Sequence, residues 1–554
     1  MSRPGLTFGA VAAHGRGWLP LIGLSALVGS GVTLALPTVL GRAVDSIVSG
    51  DGVTTWLVPA AVLIALGITS ALVDAFAGTA CVAGTTAWLR HRLVGGVLAG
   101  GPEGTRRFDA GDLVSRVSGS ASDAAQAGIA AVTVAAAALP PLGSLVLLAL
   151  IDPWLAVAFF GGVVLVVAVL WAFARRTAEL SLAYQETQGR IATLLTEALT
   201  GIRTIASAGT VEREERRILG PVPDLHRHGR QTWQVLARSG AQAALVGPLV
   251  LVAVLAIGGL QVVSGRITPG ELFAAAQYAV IGAGLGSLTG LLGEVARARA
   301  GIRRGAEILE VEPVGFGSMN LPEGPGRLEY DDVTVRADGV TLLDHVDLSL
   351  PGGAAVAVVG PSGAGKSVLA QLAGRLRDPD SGFVRLDGVP LRALNHEALR
   401  TAVGCAFERP VLIGRTVNEA ISAGRIAPVQ TLAAAQATHA HHYATRLPEG
   451  YHTPLPEAPM SGGEAQRLGL ARAWHATRLL VLDDATSSLD TATEMQINRT
   501  LTEDRLRRTR LIVTHRAAMA ARADLVVWLD RGRVGGVGTH EQLWQNPSYR
   551  EIFG

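Results

Sequence analysis

Charge is scarce in this chain of 554 residues: Asp, Glu, Lys and Arg together make up 17%, where soluble domains carry roughly 25%. With 49% hydrophobic residues, that shortage excludes an ordinary soluble enzyme. It also excludes disorder, which needs low hydrophobicity and high charge. Cysteine is nearly missing. Cys81 and Cys405 cannot build a disulfide framework, so a small stapled secreted fold is excluded too. Neither sign of charge is in excess: 48 basic and 46 acidic residues leave +2, which makes no electrostatic case for nucleic acid. A membrane protein with a soluble part remains.

Long apolar runs are plentiful, and the first half holds them. Six uncharged stretches reach the roughly 20 residues that a bilayer core requires: about 17–41, 52–80 (strictly uncharged to Val73), 124–151, 153–174, 239–265 and 272–293. The first is too long for a cleaved signal peptide and lacks a convincing small-residue cleavage site. Basic residues sort the loops. Arg90, Arg92, Arg106, Arg107 and Arg116 follow the second stretch, a long arginine-rich segment follows the fourth, and Arg297, Arg299, Arg303 and Arg304 follow the sixth. The alternate loops are short and almost free of arginine, which predicts both termini on the cytoplasmic side of a cell membrane. Thr177–Leu199 mixes apolar and polar residues at helical spacing, so the spans are expected to continue as helices beyond the bilayer. Asp74, at the inner end of the second stretch, reads as a helix end reaching interfacial water rather than as a cavity residue. A linker is expected over 310–326, where Pro313, Gly315, Gly317, Pro322, Gly324, Pro325 and Gly326 break any helix. The membrane part is therefore 1–309 and a soluble α/β domain is 327–554.

The soluble part carries the chemistry. Ala354–Val359 reads as a short apolar strand. It runs into Gly360-Pro361-Ser362-Gly363-Ala364-Gly365-Lys366-Ser367 and then into a helix-compatible stretch. Strand, glycine-rich loop and helix in that order form a phosphate cradle, in which backbone N–H groups and the helix dipole face phosphate oxygens. Lys366 would reach the β- and γ-phosphates and the Ser367 hydroxyl would ligate Mg²⁺. A second apolar strand, Leu479–Leu482, ends in Asp483-Asp484. Asp483 is placed to complete the Mg²⁺ site and Asp484 to polarise the attacking water.

Between these motifs stands Met460-Ser461-Gly462-Gly463-Glu464-Ala465-Gln466-Arg467. With Ser487-Ser488-Leu489-Asp490 and Thr514-His515-Arg516 further on, the chain resembles the ATP-binding cassette transporters over nearly its whole length. Within that family it resembles half-transporters of the exporter type. The resemblance implies a membrane all-α six-helix exporter domain followed by an α/β P-loop NTPase domain, with ATP and Mg²⁺ as cofactors. It also implies a second half-transporter as partner, the two cassettes sandwiching two ATP molecules. Ser461, Gly462 and Gly463 would then contact the ATP held by the partner's loop, and His515 the γ-phosphate of its own site. Gly201–Ile205 resembles a coupling helix, and Phe108–Arg116 the approach to another. Three positions depart from the family pattern. Asp484 stands where the catalytic glutamate is expected, Glu408 where the Q-loop glutamine is expected, and no aromatic lies near Arg336-Ala337 to stack on adenine. Tyr330 lies too early in the strand, which leaves Arg336 for that contact. These departures predict the catalytically weaker half of a heterodimer, with a slow homodimer, an importer of the same architecture, or an ATP-binding regulatory subunit as alternatives. The cargo would be a small molecule, lipid-like metabolite or modified peptide. His439, His441 and His442 read as a solvated helix face, and Cys405 as a strand residue.

Overall fold

The computed structural model describes residues 5–50, 52, 54–283, 288–337, 339–502 and 507–553. It divides into two compact units: Met1–Val97 with Phe108–Val311, and Leu98–Arg107 with Glu312–Gly554.

The first unit is helical. After a short α1 (Phe8–His14) come α2 (Leu19–Ser49), α3 (Thr54–Thr105), a helical run α4 (Ala110–Ile151) and α5 (Pro153–Thr200). Then follow α6 (Ile202–Ala208), α7 (Val211–Leu219), α8 (Val222–Val263), α9 (Pro269–Ala283) and α10 (Leu288–Leu309). Among the described residues α2, α3 and α4 are long and apolar enough to cross a membrane, and Pro153–Val164 and Gly247–Val263 add shorter apolar stretches. Part of the expected sixth span, 284–287, lies outside the described residues, as does Asp51.

Local chemistry places the helix boundaries. Asp152 caps α5 by accepting from the Trp154 N–H at 2.8 Å, with Pro153 in the first turn. Helices of 48 and 42 residues in α5 and α8 would be about 72 and 63 Å long at 1.5 Å per residue, far more than a bilayer core needs. Asp74 does not end a helix: it lies inside α3, where its carboxylate accepts from Ser25 Oγ at 3.3 Å. Small residues allow α2 and α9 to approach closely; a Cβ on Gly41 would stand 2.4 Å from the Gly270 carbonyl oxygen. Beside it Asp45 accepts from Thr268 Oγ1 and the Gly270 N–H, both at 2.7 Å. On the α4 side, Arg116 binds Asp112 (2.6 Å), Glu307 (2.5 Å) and the Arg304 carbonyl (2.7 Å).

The second unit is a two-sheet α/β fold. An antiparallel sheet has the order β2-β1-β4-β5, from β1 (Leu328–Ala337), β2 (Val340–Leu350), β4 (Ser381–Leu386) and β5 (Val389–Pro390). A six-stranded sheet has the order β10-β9-β3-β8-β7-β6, from β3 (Ala355–Val359), β6 (Val403–Phe407), β7 (Leu479–Asp483), β8 (Thr509–Val513), β9 (Leu525–Asp530) and β10 (Arg533–Gly538). All its pairings but β9–β10 are parallel. β3 is buried at all five positions, as a central parallel strand covered on both faces must be. The helices that serve the site are α11 (Lys366–Ala373), α12 (Gly462–Ala473) and α13 (Thr491–Thr502).

This unit also takes Leu98–Arg107, ten residues that the sequence boundary at 309/310 assigns to the membrane part. Gly101, at φ 64° and ψ −169°, breaks the helical path there. The Ala99 carbonyl accepts from the Val314 N–H at 2.9 Å, and Glu103 stands 3.5 Å from Arg377. The linker itself is ordered. Arg375 reaches the Gly315 carbonyl and lies 4.8 Å over the Phe316 ring.

Candidate nucleotide site

The edge formed by the C-terminal ends of β3 and β7 gathers the charged groups. β3 delivers the chain to Gly360, whose φ of 153° and contact with the Leu529 carbonyl, 2.2 Å from where a Cβ would sit, admit only glycine. The loop then turns into α11 at Lys366. Lys366 is the only lysine in the chain; every other Lys or Arg position is arginine. A compact ammonium kept at this one place fits a point-charge contact with phosphate rather than the planar fork of a guanidinium. Its Nζ donates to the Gly360 and Pro361 carbonyls at 2.8 and 2.9 Å. Burial pushes its pKa down, against the pull of Asp484 and Asp483.

Ser367 Oγ donates to Asp483 Oδ1 at 3.0 Å, so the two groups expected to hold Mg²⁺ already meet. Burial raises the Asp483 pKa, the Ser367 hydrogen bond opposes that shift, and the charges of Asp484 and Glu408 add to it. A half-buried carboxylate beside a hydroxyl, with two further carboxylates close enough to disfavour its charge, suits a divalent cation.

Asp484 follows the strand in the left-handed region at φ 48°. Aspartate tolerates that conformation better than most residues. Its carboxylate lies 3.2 Å from His515 Nδ1. Glu408 follows β6, whose Phe407 pairs with Asp483, and its side chain is exposed. Ser461 caps α12 in a reciprocal arrangement. Its Oγ accepts from the Glu464 N–H at 3.3 Å, while the Glu464 carboxylate accepts from Ser461 N (2.7 Å) and Oγ (2.8 Å). Burial pushes the Glu464 carboxyl up, but the Ser461 hydrogen bonds outweigh it and the net shift is downward. Gly462 and Gly463 form the first turn of that helix, and Gly463 packs against the Ser488 carbonyl.

Arg336 is exposed at the end of β1, its N–H held by Asp380 at 2.6 Å and its carbonyl by Arg377. Tyr330 is buried in the core with its hydroxyl on the Leu369 carbonyl, so it does not reach a ligand. Cys405 is a strand residue in β6 whose burial raises its thiol to about 11. The three histidines do not form a solvated helix face. His439 sits in a left-handed turn (φ 55°), His441 is half-buried with Nδ1 3.0 Å from the Tyr451 hydroxyl, and only His442 is exposed. Among the described residues no group of His, Cys, Asp and Glu is arranged to hold a metal by itself.

Two residues here carry connections to which the sequence reading gave no role of their own. Gln466 is 2% exposed and bonds to Glu408, Ser487 and Ser488. Arg516 donates to the Ser487 carbonyl and pairs with the buried Glu494. A signal for Gln466 was present: it stands four residues before Leu470, as a lone amide on the buried face of its helix.

A glycine-rich loop between a buried strand and a helix, faced by a carboxylate at the end of a neighbouring parallel strand, defines a P-loop nucleoside-triphosphatase. The comparisons narrow the class. The ABC transporter transmembrane region matches residues 19–283, and the ABC transporter domain matches 343–487. The chain is 45% identical to the ABC transporter ATP-binding protein RamA of Streptomyces coelicolor, over 98% of this chain and 86% of that one. It is 30% identical to an ATP-dependent lipid A-core flippase of Syntrophus aciditrophicus, over 65% of this chain and 61% of that one. It is 35% identical to a multidrug efflux ATP-binding/permease protein of Mycobacterium tuberculosis, over 72% of this chain and 35% of that one, so it spans about a third of that relative's length. A bacterial Atm1-family ABC exporter with ATP bound shares the fold, with a TM-score of 0.80 at 24% identity, covering 97% of this chain and 98% of that one. The chain belongs to the ABC transporter family, as an exporter-type half-transporter whose membrane domain is fused to an ATP-hydrolysing domain.

Proposed function

We propose that this chain is the catalytically weaker half of a heterodimeric exporter of the cell membrane, with six spans and both termini in the cytoplasm. It moves a small molecule, lipid-like metabolite or modified peptide outward. The observation that carries the reading is Asp484: one methylene shorter than glutamate, held in a left-handed backbone and bonded to His515. A carboxylate on the order of 1 Å short of its water can cost about a hundredfold in rate.

The loop 360–367 cradles the triphosphate with backbone N–H groups, and Lys366 supplies the positive charge. Ser367 and Asp483 would hold Mg²⁺, which when bound would supply positive charge against the phosphates. Asp484 takes the proton of the attacking water, His515 orients toward the γ-phosphate, and the Glu408 carboxylate faces the same region, where it adds repulsion unless it ligates the metal. Arg336, exposed at the end of β1, would stack on adenine. Ser461, Gly462 and Gly463, at the N-terminus of a helix of 12 residues, face the partner's ATP. This chain thus gives its partner a sound signature and keeps a weak site for itself.

Native mass spectrometry of the full-length protein, purified in detergent from its own host, tests the partnership. Expected is a 1:1 assembly with a second, different half-transporter. A population made only of identical subunits contradicts the heterodimer.

A further inference from the structure

Gln466, within the run 460–467, lies at a junction of three elements. Its side-chain amide is buried and fully used. Nε2 donates to the Glu408 carbonyl at 2.7 Å and to Ser487 Oγ at 3.1 Å, and Oε1 accepts from the Ser488 N–H at 3.0 Å. The three partners belong to two different loops, and Gln466 itself belongs to a third element, α12, five residues after Ser461. The second loop closes on the backbone of the residue that bears the reacting carboxylate: the Ser487 N–H donates to the Asp484 main-chain carbonyl at 3.1 Å. From the other side Arg516, next to His515, donates to the Ser487 carbonyl at 3.2 Å and pairs with Glu494. Thr486 Oγ1 donates to that same Glu494 at 3.4 Å.

We propose that Gln466 is a positioning residue for ATP hydrolysis, whose carboxamide locks the Glu408 loop and the 486–488 loop to the helix that begins at Ser461. An α-helix of 12 residues moves as a body, so any shift of its N-terminus against the partner's ATP is carried to Gln466. There the two hydrogen bonds from Nε2 and the one to Oε1 oblige both loops to follow. Glu408 and Asp484 of this chain's own site therefore answer to the state of the opposite site. Only a primary amide can do this in so dry a place, because the junction needs two donors and one acceptor at one point. The inference rests on ATP hydrolysis and holds for a homodimer or a heterodimer alike.

The test uses the full-length protein in lipid nanodiscs, alone and, once its partner is identified, in a mixture whose partner carries a disabled catalytic carboxylate, so that the rate reports this chain's own site. Gln466→Glu keeps shape and the acceptor for the Ser488 N–H but loses both donors. Gln466→Leu loses all three bonds, and Ser487→Ala removes one contact. Losing two buried hydrogen bonds is expected to lower kcat by about tenfold. The KM for ATP and the melting shift produced by Mg-ATP stay unchanged, because the phosphate loop is untouched. Ser487→Ala lowers kcat by less, and Gln466→Glu with Ser487→Ala together lose no more than Gln466→Glu alone. If Gln466→Leu does not fold, the isosteric Gln466→Glu decides. Unchanged kcat in a folded Gln466→Glu overturns the proposal. So do a rise in KM matching the loss of kcat, or losses that simply add in the double variant.

Discussion

The imidazole Nδ1 of His515 lies 3.2 Å from the carboxylate of Asp484, and Asp484 reaches that contact from a left-handed backbone (φ 48°) at the end of β7. The two residues expected to act on the γ-phosphate end of the nucleotide thus hold each other, through the shorter of the two acidic side chains. A side chain one methylene longer could carry its carboxylate past the imidazole toward the water. Asp484→Glu is therefore expected to raise the ATPase rate of this chain's own site by about ten- to a hundredfold, despite a small backbone cost for glutamate at positive φ. Steady-state kcat of the purified full-length variant checks it.

Because Lys366 is the sole lysine, it is also the sole side-chain target for an amine-reactive reagent. Acetylation followed by peptide mass mapping is expected to modify Lys366 and no other side chain, and Mg-ATP is expected to protect it. Lys366→Ala should abolish the Mg-ATP-induced melting shift. A shift of undiminished size in that variant would remove loop 360–367 from the nucleotide site.

The Arg116 cluster makes a pH-dependent prediction. The hydrogen bond from Arg116 is the chief cause holding the Asp112 carboxyl below its usual range; burial opposes it, and Arg304 adds to it. A carboxyl depressed on folding contributes stability above its unfolded pKa, about 3.9, and that contribution is lost as pH falls through the lower folded value. Arg116→Ala should therefore lower the melting temperature at neutral pH, and the gap to the parent should narrow below about pH 4. A gap of constant size across that range would mean the cluster acts by packing alone.

Much of this was legible in the sequence, and the reasons are physical. β3 is uniformly apolar because both its faces are covered, so it stands out beside the glycine-rich loop. Asp483 and Ser367, far apart along the chain, could be paired because each motif needs the other. What stayed hidden depends on tertiary contacts that no local pattern records. Leu98–Arg107 joins the second unit through a break at Gly101, Gln466 bridges two loops from the buried face of a helix, and His441 is half-buried against Tyr451. Asp74 was read as a helix end because the uncharged stretch stops at Val73; it lies inside α3, where its carboxylate accepts from Ser25 Oγ.

The proposed orientation rests on loop charge and can be tested directly. Single cysteines replacing Thr105 and Ser207, in a background without Cys81 and Cys405, are expected to react with a membrane-impermeant maleimide only in inverted vesicles. Cysteines at Ser49 and Ser264 should react only in intact cells. The opposite pattern would reverse the assignment of both termini.

The asymmetric reading turns on one comparison of ATPase rates in nanodiscs: this chain alone, the chain with its partner, and the mixture with either chain's catalytic carboxylate disabled. The account predicts slow hydrolysis by the chain alone and fast hydrolysis by the mixture. Asp484→Asn should leave the mixture's rate nearly intact, while disabling the partner's base should collapse it. Hydrolysis by the chain alone as fast as by the mixture would contradict the account, as would a mixture that loses as much rate through Asp484→Asn as through the partner's base.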